Sequence, residues 1–234
     1  MSVGRRLSVL ILCVGASACV QDAIVARGRD AQTDASDGSL RERSAIKIEG
    51  EVLASLGTDG VSGDTQVRFA MRLSRSGSSA TAQVFVESTA GNVELAERDG
   101  QYVGSQSEYV GRYVLRVVAD GVEVRSAFAG PAAHLISQPA ARAIVLPNTA
   151  LAVVWAPSGA SEATVETEDF AETPVRDTGA FSVPEAAIVG EMGRESEDRV
   201  RVRRTDTVPL VEFAEESRVR VSVVRENRFT VSAL

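Results

Sequence analysis

Lysine, histidine and cysteine are almost absent from this 234-residue chain, and each shortage excludes a class of site. The only lysine, Lys47, follows no glycine run, so a phosphate-binding P-loop is excluded. One histidine, His134, and two cysteines are too few for a zinc site of ordinary ligand count. We therefore expect the protein to work without a cofactor.

Positive charge is also scarce, since 25 basic residues face 32 acidic ones and the formal net charge is −7. Residues 1–18 contain Arg5 and Arg6 but no acid, so their removal leaves 23 basic and 32 acidic residues, a net charge of −9. Such a chain has no overall electrostatic attraction to nucleic acid, and we expect no nucleic-acid partner. Its 44% hydrophobic content is typical of a globular chain of one or two domains.

The first eighteen residues are typical of an export signal. Arg5 and Arg6 precede an apolar run from Leu7 to Val14, and small residues follow that run. The run is too short to cross a bilayer as a helix, which takes about 20 apolar residues. We therefore interpret residues 1–18 as a cleaved signal peptide.

The end of this signal, Ala16-Ser17-Ala18-Cys19, resembles the lipobox of bacterial lipoproteins. Ala16 departs from the pattern, because that family usually has leucine there. The resemblance implies cleavage after Ala18, fatty acylation (palmitate among the acyl chains) of Cys19, and membrane attachment through that residue. It also implies the outer membrane or cell surface, since Val20 stands where aspartate would signal inner-membrane retention. The same residues form an A-x-A site for ordinary signal peptidase, which leaves a soluble periplasmic or secreted protein as the alternative.

Two features of the mature N-terminus follow from this interpretation. Cys13 leaves with the signal, so Cys19 is the one remaining cysteine and no internal disulfide forms. Residues 19–44 are rich in Asp, Ala, Ser, Arg and Gly without apolar periodicity, and they predict a flexible tether behind the lipidated cysteine.

Alternating apolar and polar residues from position 45 onward predict an all-β chain. The predicted strands are 46–52, 66–73, 82–87, 113–119, 122–125, 151–155, 162–168, 199–203, 218–224 and 229–232. Asp120-Gly121 predicts a type I′ hairpin turn, and Asp59-Gly60, Asp99-Gly100 and Glu226-Asn227 predict further turns. Residues 184–189 are the one helical candidate, with one or two turns expected.

All seven prolines lie between Pro131 and Pro209, which indicates a change of domain near the middle of the chain. We therefore predict two tandem β-sandwich domains, at 45–138 and 139–234. Gly111-Arg-Tyr113-Val-Leu115 resembles the tyrosine corner of immunoglobulin-like domains, and Leu151-Ala-Val-Val-Trp155-Ala-Pro157 is similar to the early Trp strand of fibronectin type III domains. The wider sequence resembles uncharacterised lipoproteins of GC-rich bacteria, which implies no particular activity.

Candidate catalytic residues each have a plainer interpretation. The sequence contains no G-x-S-x-G nucleophile elbow whose serine His134 could activate, so we expect a structural role for this residue. The acidic residues of the stretch Glu162–Asp177 supply carboxylates for glycoside hydrolysis or Ca²⁺. On a strand, however, Glu162, Glu166 and Glu168 fall on one face, which we expect to be a solvated outer surface. The acids of the stretch are Glu162, Glu166, Glu168, Asp169, Glu172 and Asp177. Asp59 and Asp64 supply similar oxygen ligands in a glycine-rich loop, where such residues also serve turns.

Arginines alternate with valine at Arg199, Arg201 and Arg203 and again at Arg218 and Arg220, which suggests either a soluble outer face or an anion-binding one. Trp155 lies among alternating apolar residues, so we expect it in the core rather than stacked on a sugar.

These features predict a non-catalytic, envelope-anchored structural or binding module. The alternatives are a carbohydrate-binding module or glycan-active enzyme that uses the acidic stretch, and an accessory subunit of an envelope complex. The sequence identifies no protein or glycan partner.

Overall fold

The computed structural model describes residues 45–57, 65–76, 78–191 and 193–232. The predicted signal peptide, Cys19, the tether, the Asp59-Gly60 turn and Asp64 lie outside these residues. The strands are β1 (Ile46–Leu56), β2 (Gln66–Arg75), β3 (Ser78–Ser79), β4 (Gln83–Ser88), β5 (Gly91–Arg98), β6 (Gln101–Gln106), β7 (Arg112–Ala119), β8 (Val122–Ala129), β9 (Ile136–Gln138), β10 (Ile144–Val145), β11 (Leu151–Trp155), β12 (Glu162–Thr167), β13 (Thr173–Val175), β14 (Ala180–Val183), β15 (Glu195–Pro209) and β16 (Arg218–Ser232).

The all-β prediction is confirmed, and the local patterns explain why. Along β7, Tyr113, Leu115 and Val117 are buried while their neighbours are more exposed, as expected of a half-buried strand. Asp120 and Gly121 join β7 to β8 with φ values of +50° and +78°, which confirms the predicted hairpin. The Asp99-Gly100 turn between β5 and β6 is confirmed in the same way, with φ values of +53° and +76°.

The first hydrophobic core lies between two facing layers of strands. One layer has the order β16-β1-β2-β6-β5, and the other has the order β5-β4-β7-β8. Strand β5 belongs to both, because its first half pairs with β4 and its second half with β6. The rings of Phe69 on β2 and Tyr113 on β7 meet edge to face across the core, with centroids 5.6 Å apart. The prediction of a β-sandwich is confirmed here.

The second core lies between the three-stranded sheet β14-β11-β9 and the strands β13-β12-β15-β16. Its buried residues include Val153 and Trp155 from the small sheet and Val200, Val202 and Phe229 from the large one. The placement of Trp155 in a core is therefore confirmed. A single 3₁₀ turn at Glu185–Ala187 confirms the short helical segment predicted at 184–189.

Strands β15 and β16 run through both cores. Val219, Val221 and Val223 of β16 belong to the first core, whereas Phe229 and Val231 belong to the second. Strand β16 also pairs in parallel with β1, with Glu49 opposite Arg218. The first core thus contains residues from both sides of the predicted boundary at 138/139, and the number of domains stays a prediction.

The turn predicted at Glu226-Asn227 is wrong, because β16 continues without interruption from Arg218 to Ser232. Asn227 is buried, and its side-chain amide donates to the carbonyl oxygens of Ile136 and Pro139, at 3.0 Å each. A tertiary contact therefore satisfies the polar side chain that had suggested a turn.

Candidate functional site

The acidic stretch and the arginine face meet on one outer surface of the large sheet. Strand β12 pairs with β15 so that Glu166 lies opposite Arg201, and β15 pairs with β16 so that Arg201 lies opposite Glu226. We call this surface the charge ladder. Its ion pairs are Arg220–Glu162 (2.9 Å), Arg201–Glu226 (3.1 Å), Arg201–Glu166 (3.2 Å), Arg199–Glu168 (3.2 Å), Arg203–Glu172 (3.4 Å) and Arg228–Glu197 (3.4 Å).

Arg201 is the least exposed arginine of the charge ladder, and it lies between the carboxylates of Glu166 and Glu226. The side chains of Arg201, Glu166 and Glu226 are 25%, 23% and 18% exposed, so water screens them only in part. The outer pairs are more exposed, and each contributes about 0–1 kcal/mol at most. The ladder has six glutamates and five arginines, which leaves the arginines poorly suited to bind an external anion.

The same pairing changes the interpretation of the acidic stretch. Glycoside hydrolysis uses two carboxyl groups that face each other across a cleft, whereas Glu162, Glu166, Glu168 and Glu172 each face an arginine. Asp169 is exposed, and Asp177 lies apart from the others in the interior. Within the described part of the chain, no group of three or more His, Cys, Asp or Glu side chains is arranged to hold a metal ion.

Asp177 forms a buried ion pair with Arg204 that sequence patterns did not reveal. The carboxylate and the guanidinium are 3.1 Å apart, and their side chains are 2% and 1% exposed. The carboxylate also accepts hydrogen bonds from Nε1 of Trp155 at 2.8 Å and from the backbone N–H groups of Ser158 and Ala160. Burial works against ionisation, but these bonds and Arg204 outweigh it and hold the pKa of Asp177 below its ordinary value.

Arg204 connects this pair to the segment between the two cores. Its Nη1 donates to the carbonyl oxygens of Ala156 at 3.1 Å and Ala132 at 3.4 Å. We call the contacts of Arg204, Asp177, Trp155, His134 and Asn227 with one another and with residues 130–139 the joint. The joint ties the chain between β8 and β10 to strands β15 and β16.

His134 belongs to the joint and lies in the wall of a cavity of about 550 Å³. It is 3% exposed, and its Nε2 lies 3.2 Å from the carbonyl oxygen of Val202. Burial, followed by the positive charge of Arg204, lowers its pKa to about 4, so the ring is neutral near pH 7. This placement supports the structural role expected for the residue.

A largely apolar concavity with a volume of about 730 Å³ lies beside the edge strand β8. We call it the β8 groove. Its lining residues are Glu87, Ser88, Thr89, Arg112, Tyr113, Val114, Ala127, Phe128, Ala129 and Val208. The sequence did not predict it, because Val208 reaches this edge only through the tertiary fold.

Tyr113 adjoins the groove and has the geometry of a tyrosine corner. Its hydroxyl accepts a hydrogen bond of 3.4 Å from the backbone N–H of Val110, three residues upstream. Its ring stacks on Phe128 with the centroids 5.4 Å apart. The resemblance noted at Gly111–Leu115 therefore corresponds to a real local contact.

Comparisons with known proteins give only distant likenesses. No family model matches the chain, and no curated protein matches it. Among solved structures, fibronectin(III)-like modules of Clostridium thermocellum CbhA are 12% identical, cover 76% of this chain and 92% of their own, and give a TM-score of 0.25. The BSP domain of a biofilm-associated protein is 13% identical over 81% of this chain, with a TM-score of 0.24.

This chain covers 30% of that second structure's chain. We draw no functional conclusion from likenesses at these TM-scores. In the described residues, no helix has the length and apolar character needed to cross a membrane.

Proposed function

We propose that this chain is an exported β-sandwich module that is tethered to the bacterial envelope through Cys19 and has a structural or binding role without catalysis. The observation that carries the proposal is the charge ladder. In the ladder, the carboxylates that a glycan-active enzyme would need are paired with arginines. The buried position of His134 supports the same proposal, since a general base has to reach its substrate.

The anchoring half of the proposal depends on the fate of Cys19. We expect wild-type protein from a Gram-negative host to carry an acylated N-terminus and to fractionate with the outer membrane, because acyl chains contribute about 0.8 kcal/mol per buried methylene. Intact mass spectrometry of wild type beside Cys19→Ala measures this directly. An unmodified Cys19 in the soluble periplasm or medium contradicts the anchor and leaves a diffusible module.

The binding half of the proposal has the β8 groove as its site. Apolar concavities with a few polar groups at the rim are where proteins commonly hold ligands or partner side chains. Ala127 lines the groove and is exposed, so Ala127→Asp places a charge there without disturbing a core. Ala180, also exposed on a strand, provides the matched control Ala180→Asp.

Envelope cross-linking followed by purification compares the two variants with wild type. We expect a partner that is captured by wild type and by Ala180→Asp but lost with Ala127→Asp. Capture that is the same in all three proteins, or lost equally in both variants, excludes the groove as the binding site. A glycan array with Glu166→Ala and Glu168→Ala tests the alternative of carbohydrate binding, and binding that these variants abolish would favour it.

A further inference from the structure

Strands β13 and β8 form the two ends of the large sheet, and they differ in how well their open edges are protected. Strand β13 has three residues with Pro174 in the middle, and both its shortness and its proline discourage pairing with another chain. Strand β8 has eight residues, contains no proline and keeps an unbroken register with β7. Its outer edge therefore offers backbone groups to a further strand.

The hairpin turn determines which residues of β8 direct their backbone groups to the open edge. Ala119 and Val122 flank the two-residue turn, so they form a hydrogen-bonded pair, and hydrogen-bonded and non-hydrogen-bonded pairs alternate from there. Gly130 continues this phase, since its N–H donates to the carbonyl oxygen of Gly111 at 3.0 Å. The even-numbered residues of β8 therefore bond to β7, and the odd-numbered ones direct their N–H and C=O groups outward.

Two of the odd-numbered residues, Glu123 and Arg125, carry opposite charges. Their side chains lie on the solvent face of β8, 45% and 54% exposed, with the carboxylate 2.7 Å from the guanidinium. Charged residues on an edge strand usually prevent pairing, because like charges come to lie opposite each other. Here the two signs alternate along the edge, so an antiparallel copy of the same strand can bring each charge opposite its complement.

The charges behind this edge continue the alternation. Arg116 on β7 lies 2.6 Å from Glu87 on β4 and 3.6 Å from Glu123, and Arg125 lies 3.5 Å from Glu87. These four side chains carry two charges of each sign. This face of the sheet therefore adds no repulsion between two copies of the chain.

Hydrogen-bond geometry and charge together select one register for such a pair of strands. Residues that direct backbone groups outward have to face one another, so a two-fold axis between two β8 strands passes through one residue position. An axis at Glu123 or at Arg125 places identical charges opposite each other. An axis at Val124 is the one position that places Glu123 of each copy opposite Arg125 of the other, which gives two attractive pairs.

The surroundings of this edge leave room for a second strand. A cavity of about 260 Å³ borders β8 beside Val124. The β8 groove adjoins the far half of the strand, at Ala127–Ala129. In the register centred on Val124, Gly121 of the second copy lies opposite Ala127, so the tip of one hairpin reaches the groove of the other copy. Glycine at this tip brings no side chain into the contact.

We propose that β8 is a self-association edge: two copies of this chain pair antiparallel through their β8 strands, with Glu123 of each copy opposite Arg125 of the other. The inference rests on the proposed binding function and names a second copy of the chain as the partner at that site. Each of these pairs exchanges both of its backbone hydrogen bonds, and Val124 packs against Val124 of the second copy. The same register explains the loss expected of Ala127→Asp, because the new carboxylate lies beside Asp120 in the hairpin of the second copy.

Sedimentation equilibrium measures this association directly. The reference protein is the mature chain, residues 19–234, with Cys19→Ala, so that neither a lipid nor a disulfide joins two copies. Its concentration runs from micromolar to millimolar, since so short an edge contact belongs to the weak class of interfaces. We expect an equilibrium between monomer and dimer, with no larger species, because a two-fold contact closes on itself.

Two charge reversals at the edge identify the contact. In Glu123→Arg and in Arg125→Glu, like charges face each other across the axis, and we expect the dissociation constant of each variant to rise about tenfold or more. An equimolar mixture of the two variants restores two pairs of opposite charge, so it should dimerise nearly as well as the reference protein. A variant that has lost its fold cannot be rescued by mixing. The matched controls Glu94→Arg and Arg72→Glu make the same charge changes at exposed strand positions and should leave the dissociation constant unchanged.

Three results overturn the proposal. In the first, the reference protein stays monomeric at millimolar concentration. In the second, both edge variants dimerise as the reference protein does. In the third, the mixture stays monomeric although far-ultraviolet circular dichroism shows that each variant is folded. A monomer in sedimentation, together with a different protein captured through the groove in the envelope, removes the second copy as partner and leaves the proposed binding function standing.

Discussion

Removing one member of the buried pair should cost far more stability than removing both charges. Asp177→Ala leaves the guanidinium of Arg204 buried without its counter-charge, and Arg204→Met leaves the carboxylate in the same position. Breaking a buried ion pair in this way costs about 3–5 kcal/mol, because the remaining buried charge has lost its counter-charge. In Asp177→Ala, the N–H groups of Ser158 and Ala160 also lose their acceptor. This loss adds little to the cost in stability, since Ser158 is exposed and water reaches that loop.

The double variant Asp177→Ala/Arg204→Met removes both charges and replaces the guanidinium with an apolar chain of similar length. We expect its free energy of unfolding to exceed the additive value by about 2–3 kcal/mol, the coupling that contacting residues show. Urea denaturation followed by far-ultraviolet circular dichroism measures all four proteins. Additive losses would refute the reasoning. If the single variants fail to fold while the double variant folds, the coupling is confirmed.

Three further predictions concern separate parts of the fold. Because the pKa of His134 is about 4 in the folded chain and about 6.5 when unfolded, the unfolded state binds the extra proton between these values. The free energy of unfolding therefore falls by about 3 kcal/mol as the pH drops from 6.5 to 4, and denaturation of His134→Gln at several pH values should show a flatter dependence. Gly121→Ala should cost about 1–2 kcal/mol in thermal denaturation, since φ is +78° and no atom lies within 4 Å of a new Cβ, so only backbone strain contributes. Arg201→Met should destabilise the protein more than Arg220→Met. We expect the stability of Arg220→Met to lie within about 0.5 kcal/mol of wild type, because the Arg220–Glu162 pair is over half exposed. Equal losses of stability in the two variants would contradict the central place of Arg201 in the ladder.

Most of the fold was predictable because apolar and polar residues alternate along its strands. The β7–β8 hairpin follows from alternation around Asp120-Gly121, and the shared face of Glu162 and Glu166 follows from their spacing. The joint was not predictable, since Arg204 lies within an arginine-valine strand whose other arginines face outward. Arg204 is in phase with the buried residues Val200 and Val202, so alternation predicts its face. The sequence does not show that it pairs with Asp177, 27 residues earlier, because the contact exists only after the small sheet has packed.

The two charged surfaces that form the charge ladder were predictable from the sequence, but the pairing of their acids with their arginines was not. The acidic stretch and the arginine strands suggested two separate binding surfaces, and each was interpreted alone. Their opposition depends on the register between β12 and β15, which the sequence does not specify by itself. Glu226, which completes the ladder, falls in the predicted Glu226-Asn227 turn, because asparagine favours turns.

The position of β16 between β15 and β1 sets the order in which the protein can assemble. A ribosome delivers residues 46–129 first, yet the first core has an open flank until residues 218–225 arrive and pair with β1. Strand β1 therefore lacks its partner β16 until the end of synthesis, and the edge that pairs in parallel stays uncovered until then. A version truncated before β16 leaves this edge of β1 unpaired and should therefore accumulate as aggregates.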